Sequence, residues 1–239
     1  MTLWQCLVLG FVLASSVWWA ARAKGERQAD DSRRTKTLDD TTLASAPGRL
    51  QISPRKYELY LGDDASERWL LRMGMKLPWS ARHIPLLGEV VYLWQHYQEY
   101  FRNGNLNPAM IVDVDCNRVA VFGNLSSHRG PPTDVIKIIE ERLDLVPAAR
   151  RKNGARFASV ALYSKDEGDE RPGRWTDFFP IVVDCLVDDS RACYEAMSRL
   201  DERDWAELEA GLDVLGDAVY ELGLHDVTLP DELDFIPES

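Results

Sequence analysis

The sequence has few residues of the kinds that build disulfide frameworks or metal sites. It contains four cysteines and no C-x-x-C pair, which is too few for a disulfide scaffold. We therefore expect reduced, buried thiols. The histidines are equally few and lie far apart, without metal-ligand spacing, so no metal and no other cofactor is predicted. The cysteines are Cys6, Cys116, Cys185 and Cys193, and the histidines are His83, His96, His128 and His225.

A calcium loop is also missing, although one stretch begins like one. Asp113-x-Asp115-x-Asn117 supplies the first three ligand positions of an EF-hand loop. Arg118 stands where the loop requires glycine, and Asn124 stands where it requires a bidentate glutamate. The spacing is instead typical of a polar turn between two strands.

Charge is absent from the first 21 residues and unevenly distributed after them. Residues 22–56 hold nine Lys or Arg against five Asp or Glu, whereas residues 57–239 hold nineteen against thirty-four. The larger part is therefore strongly acidic, and an acidic surface repels phosphate backbones. Nucleic acid is accordingly disfavoured as a partner.

An uncharged run of nineteen residues, Leu3 to Ala21, lies at the N-terminus. A helix needs about 20 apolar residues to cross the hydrocarbon core of a bilayer. Trp18 and Trp19 suit the headgroup interface, and five basic residues follow between Arg22 and Arg34. The pattern predicts a single-pass signal-anchor over residues 1–23, with the domain on the cytoplasmic side of the cell membrane.

The same run also has a feature of a cleaved signal peptide. Ala21-Arg-Ala23 has the small-x-small form of a cleavage site, and cleavage near Ala23 would release a secreted protein. The charged region that should precede the apolar run is missing, so we favour the anchor. Residues 24–54 combine charged side chains with Thr and Ser, which predicts a flexible linker.

Two helical patterns occupy residues 55–104. The first runs from 65 to about 76, with Asp63 or Asp64 as its cap. The second repeats apolar residues at three-and-four spacing over 87–101 and is ended by Gly104. Its many aromatics would also suit an interfacial membrane helix. Packing on the sheet is favoured, because the polar face carries Glu89, Gln95 and Glu99 rather than a row of basic residues.

Strand patterns dominate from residue 105 onward. Five runs rich in β-branched and aromatic residues are bounded by glycine, proline or charged loops, at 109–114, 118–122, 135–140, 156–164 and 179–187. They predict an α+β fold: helices packed on a small five-stranded antiparallel β-barrel, OB-like or SH3-like. A helical pair follows at 190–200 and 201–215, which closes a domain over 105–216. The acidic, proline-containing tail 217–239 is expected to be extended or disordered.

Six segments of this region occur in a distinctive order: GNLNPAMIV, RVAVFGNLSS, DVIKIIE, ARFASVALYS, RWTDFFPIVVDC and DWAELEAGL. In this order they resemble the bacterial family called domain of unknown function 3239, over about residues 103–215. The resemblance implies an uncharacterised, small, β-rich domain that often follows a hydrophobic N-terminal segment. It implies no activity, cofactor or site residues.

One cluster of aromatic and acidic residues is a candidate ligand site. Trp175, Phe178 and Phe179 surround Asp177 at the start of the fifth strand. They could line a cleft with one polar anchor, or they could plug the end of the barrel. We favour the plug.

Three functions fit these observations. The first is a non-catalytic module, anchored in the membrane, that binds an unidentified protein or ligand. The second is a hydrolase that uses carboxylates such as Asp113, Asp177 and Asp184 as acid and base, which requires two of them in one pocket. The third is an OB-like single-stranded nucleic-acid binder, which requires a basic groove with stacking aromatics.

Overall fold

The computed structural model describes residues 46–84, 87–126, 133–165 and 173–230. The predicted anchor, the linker up to residue 45 and the last nine residues of the tail lie outside these ranges. Within them, no helix combines the length and apolar character that crossing a membrane requires.

Three α-helices precede the sheet: α1 Pro54–Leu61, α2 Ala65–Lys76 and α3 Leu87–Asn103. The predictions for α2 and α3 are confirmed, and Asp64 caps α2 by accepting hydrogen bonds from two backbone N–H groups. Helix α1 was not predicted. It is eight residues long, too short for a clear helical period, and begins with a proline behind the Ser53 cap.

Helices α2 and α3 pack closely and are joined partly by a 3-10 turn at Trp79–His83. The approach depends on Gly74, where an added Cβ would come within 2.8 Å of Val90. The inner side of α3 carries Trp94, whose ring meets that of Tyr57 edge-on at 4.9 Å. The helical segment therefore packs as one layer.

The sheet has six antiparallel strands in the order β5-β4-β1-β2-β3-β6. They are β1 Asn105–Asp113, β2 Arg118–Asn124, β3 Asp134–Glu140, β4 Arg156–Ser164, β5 Asp177–Val182 and β6 Gly223–Asp226. All five predicted strands are present, and the sheet is curled into a half-barrel. The expected five-stranded barrel is therefore corrected to a six-stranded half-barrel.

Two further boundaries differ from the prediction. Strand β5 ends at Val182, and a short helix α4, Val183–Leu186, takes the place of the predicted strand end. All four residues of α4 are buried, and a short apolar run does not distinguish a strand from a buried helix. Strand β6 lies within the tail expected to be extended or disordered, where it pairs with β3. Its four residues are too few to show alternation.

The predicted C-terminal helical pair is confirmed as α5 Ser190–Met197 and α6 Glu202–Leu215. Asp201 caps α6 in a reciprocal capping box with Asp204, and Gly216 ends the helix. The acidic residues of this first turn suit the positive end of the helix dipole.

Each face of the sheet has its own hydrophobic core. The outer face packs against α3, α6 and the other helices, through residues such as Phe101, Ile136 and Leu208. The inner face is covered by the curl of the sheet itself and by the loop after β3, through residues such as Phe157 and Leu143. Alternating residues of one strand therefore enter different cores.

Candidate functional site

The predicted aromatic and acidic cluster lies at the start of β5. Trp175 and Phe178 are buried in the inner core, at 7% and 0% exposure, while Asp177 and Phe179 are half-buried. The structure thus keeps the four residues together but turns two of the aromatic rings away from solvent. Ligand binding by this cluster stays a prediction.

Phe178 fills the space between strands inside the half-barrel. Its ring stacks on Tyr163 of β4, with 5.5 Å between centroids. A Cβ on Gly123 of β2 would come within 3.1 Å of the same ring. Phe178 therefore occupies the inner core as a plug would. Strand β2 accommodates the ring because Gly123 has no side chain.

Lys137 of β3 reaches across the half-barrel to the start of β5. Its Nζ donates to both carboxylate oxygens of Asp177, at 2.8 and 2.9 Å, and to the carbonyl of Phe178 at 2.7 Å. The same Nζ lies 4.6 Å from the centroid of the Phe179 ring. Because β3 and β5 are not neighbours in the sheet, this contact bridges its two sides.

Glu141 makes a second bridge, directly after β3. Its Oε2 accepts from the backbone N–H of Val182 at 3.0 Å, and its Oε1 accepts from that of Arg142 at 2.9 Å. The Tyr60 hydroxyl also donates to this carboxyl. Burial raises the pKa of Glu141, while these hydrogen bonds oppose the rise.

The two bridges lie at opposite ends of β5. Strands β3 and β5 run in the same direction, because each intervening pair is antiparallel. Lys137 meets the start of β5, and Glu141 meets its end. In the described sheet β5 pairs only with β4, so charged side chains connect β5 to β3 instead of a backbone ladder.

A buried amide lies on the same inner face. Asn107 of β1 donates from Nδ2 to the Phe122 carbonyl and to the Tyr163 hydroxyl, both at 3.0 Å. Ser159 of β4 donates to the Asn107 carbonyl at 3.1 Å. Burial raises the pKa of Tyr163, so the phenol remains neutral and able to share these hydrogen bonds.

Asp184, a candidate catalytic carboxylate, is buried at α4. Its Oδ1 pairs with the Arg150 guanidinium, and its backbone carbonyl accepts from Lys56 Nζ at 2.6 Å. Burial raises its pKa, and the two cations oppose this shift. Among the described residues its buried Oδ2 has no hydrogen-bond partner.

The three candidate carboxylates occupy three separate places. Asp113 caps the β1–β2 turn, where Oδ1 accepts from the N–H groups of Asp115 and Cys116 at 3.0 Å each. The Cys116 hydrogen bonds lower the pKa of Asp113. Asp177 is the first of the six residues of β5 and Asp184 lies two residues beyond the last, and the strand is about 20 Å long at 3.3 Å per residue. The structure therefore brings none of these carboxylates together.

No group of three or more His, Cys, Asp or Glu within the described ranges is placed to hold a metal ion. Asp177 and Asp184 are engaged instead by Lys137 and Arg150.

Sequence reasoning missed Lys137 and Glu141, the two residues that fasten β5. A signal for Lys137 exists in the strand VIKIIE, where lysine takes an inward position between Val135 and Ile139. A charge at such a position needs a partner, and alternation alone does not say which one. Glu141 follows the strand and gives no comparable signal.

A half-barrel with helices on its outer face and charged bridges on its inner face defines a small α+β domain. The family model described as "Protein of unknown function (DUF3239)" matches residues 94–215, and the chain belongs to this family. The match begins within α3, somewhat before the stretch that carried the resemblance.

Other comparisons add little. No curated protein matches the chain. One similar solved structure is described as "Crystal structure of a putative membrane protein from Corynebacterium diphtheriae". It is 22% identical, with a TM-score of 0.42, and the similarity covers 52% of this chain and 100% of that one.

Proposed function

We propose that the protein is a non-catalytic binding module, anchored in the cell membrane by residues 3–21, with its domain on the cytoplasmic side. The absence of catalysis is inferred from one observation: two of the candidate carboxylates are engaged in contacts that stabilise the fold. Lys137 holds both oxygens of Asp177, and Arg150 holds Asp184. A general acid or base must exchange its proton with a substrate, which these contacts oppose.

The strand arrangement supports an OB-like rather than an SH3-like architecture. An OB fold is a five-stranded, partly open barrel, and here β1 to β5 form such a sheet with its gap between β3 and β5. The OB ligand surface lies on strands 2 and 3. In this protein α6 packs on that outer surface, against residues such as Ile136. This cover and the acidic charge weigh against nucleic-acid binding.

A carboxylate-dependent hydrolase is the alternative, and one observation favours it. Asp184 combines a raised pKa with a buried oxygen that has no hydrogen-bond partner within the described part of the chain, as a general acid can. A second carboxylate in the same place is required, and Asp177 lies at the far end of β5. An Asp184→Asn variant that lost a measurable hydrolytic activity while keeping its melting temperature would favour the hydrolase.

Reporter fusions test the anchoring and the orientation. Alkaline phosphatase is active only after export, so its fusion to Ser239 should be inactive, whereas a green fluorescent protein fusion should fluoresce. The full chain should stay in the membrane pellet after a high-salt wash, because burial of nineteen uncharged residues does not depend on salt.

The matched control is a chain without residues 3–21, which should leave the pellet under the same wash. An active phosphatase fusion, or a purified protein whose N-terminus is Lys24, would show that the run is a cleaved signal and that the domain lies outside the cytoplasm.

A further inference from the structure

Large apolar side chains are exposed on one part of the helical layer. Trp79 is 43% exposed in the 3-10 turn, Ile84 is 47% exposed directly after it, and Tyr92 is 40% exposed on α3. Together with Arg82 they form what we call the aromatic patch. Such side chains are costly to leave in water when they lie close together.

Ring contacts show that the patch is one surface. The Trp79 and Tyr92 rings lie 6.5 Å apart, and the Arg82 guanidinium lies 4.4 Å from the Trp79 ring centroid. Tyr92 also stacks on His96, at 5.8 Å. The 3-10 turn and the outer side of α3 therefore present indole, phenol and guanidinium groups side by side.

The 3-10 turn of the patch and the helix before it are locally basic, whereas the α3 side of the patch is not. From residue 68 to residue 88 the sequence has four Lys or Arg and no Asp or Glu, although the net charge is −11, and Glu89 and Glu99 follow on the polar face of α3. Lys76 and Arg82 are exposed, while Arg72 pairs with Glu58 of α1. By contrast, residues 190–221 hold nine Asp or Glu against three Arg.

We infer that the aromatic patch rests in the headgroup region of an anionic bilayer, beside the predicted anchor. This inference depends on the proposed membrane anchoring and adds the surface that faces the lipid. Tryptophan and tyrosine are enriched at membrane interfaces, where an apolar ring and a polar tip are both satisfied. Exposed Lys76 and Arg82 supply the charge that attracts anionic headgroups.

The packing of α3 leaves this surface available. Val90, Trp94 and Phe101 of α3 are buried in the outer core, whereas Tyr92 points away from it. The expectation that α3 packs on the sheet therefore concerns the side of α3 that faces the sheet. The aromatic patch belongs to the side of α3 that faces away from the sheet.

The short segment between the anchor and the domain makes even a weak contact between the aromatic patch and the bilayer sufficient. The 22 residues from 24 to 45 separate the anchor from the domain, and even a fully extended chain of that length spans only about 75 Å. A tethered domain meets the bilayer at a high effective concentration. An individually weak patch would therefore be occupied for most of the time.

A fluorescent label beside the patch tests the contact in the full chain. Cys6 and Cys116 are replaced by serine, Ser80 by cysteine, and the protein is reconstituted into vesicles of phosphatidylglycerol and phosphatidylcholine with nitroxide-labelled headgroups. The buried Cys185 and Cys193 are shielded from the label. The matched control is Ser198→Cys, an exposed serine directly after α5 in the acidic stretch 190–221.

We expect the label at position 80 to be quenched by the nitroxide lipid and the label at position 198 to be spared. Quenching at position 80 should fall in vesicles of phosphatidylcholine alone and at high salt. Adding Trp79→Ser and Tyr92→Ser should abolish it while the protein still floats with the vesicles, because both side chains are at the surface.

Equal quenching at the two positions would overturn the inference, as would a position-80 label that is shielded from an aqueous quencher but untouched by the nitroxide lipid. The latter result would assign the patch to a protein partner or a second copy. A full chain that fails to float would contradict the anchoring instead. A full chain that floats but is not quenched at position 80 would contradict the patch alone, because the tether is then present.

Discussion

The two faces of the sheet are stabilised in different ways. The outer face is covered by helices and packs with apolar side chains. The inner face encloses Asn107, Lys137 and Glu141 among aromatic rings. Asn107 makes hydrogen bonds to β2 and β4, and Lys137 and Glu141 both make hydrogen bonds to β5. The helices therefore stabilise the outer layer through buried apolar area, whereas the inner layer depends on a few specific contacts that define how far the half-barrel closes.

A cavity on the inner face should have the largest effect. Phe178→Ala removes a fully buried ring that stacks on Tyr163, and we expect a loss of about 4 kcal/mol of unfolding free energy. Urea unfolding followed by tryptophan fluorescence measures it.

Phe179→Ala is the matched control, because the neighbouring ring is only half-buried. It should cost clearly less, about 1 kcal/mol. Equal losses for the two variants would mean that Phe178 does not fill the inner core.

The buried Glu141 should make stability depend on pH. Its folded-state pKa is raised by burial above the ordinary value of 4.5, so the folded state binds more protons than the unfolded state between the two values. Its contribution is therefore fully favourable below about pH 4.5 and is lost as pH rises through the folded-state pKa.

Glu141→Gln removes this proton and keeps an acceptor for the Val182 N–H. The difference in unfolding free energy between wild type and variant should therefore move against wild type as pH rises above about 4.5. A difference that is constant with pH, measured by urea unfolding at several pH values, would show that Glu141 has the same pKa in both states.

The reactivities of two buried thiols show how readily each face of the sheet opens, and this experiment does not alter the stability of the protein. Cys185 belongs to the inner core and Cys193 to the outer core, and burial raises both pKa values, that of Cys193 to about 12. Both should react more slowly with a thiol reagent in the native protein than the exposed Cys116, although Asp113 raises the pKa of that thiol.

Mass spectrometry of the labelled peptides measures which buried thiol is exposed first. We expect Cys193 to react before Cys185, because it lies on a helix of only eight residues whereas the inner core is enclosed by strands. The reverse order would mean that the inner face is the less stable one.

Local patterns explain why most of the fold could be predicted. Runs rich in β-branched and aromatic residues located the strands before β6, and the candidate caps Asp63 and Asp64 located the start of α2, because these signals arise within a few residues. Helix α1 and strand β6 are too short to produce a period. The inner bridges join residues 40 and 41 positions apart, a separation at which local patterns give no information about partners.

The candidate site shows the same limit. The cluster around Asp177 was identified from sequence, and its aromatic members are largely buried as the plug interpretation expects. Lys137 was not identified as the partner of Asp177, because the curl of the sheet brings β3 and β5 together. Whether a carboxylate has a structural or a catalytic role depends on the residues that the folded sheet brings next to it, and not on its residue type.

The central claim is that Asp177 serves the fold by pairing with Lys137 across the gap between β3 and β5. A double-mutant cycle with Lys137→Met, Asp177→Asn and the combined variant measures this pairing directly by urea unfolding. Because Asp177 is partly exposed, we predict that the combined variant is more stable than the sum of the single losses implies, by about 1 kcal/mol. Additive losses, within about 0.3 kcal/mol, would contradict the bridge and return Asp177 to the candidates for a catalytic or ligand-binding role.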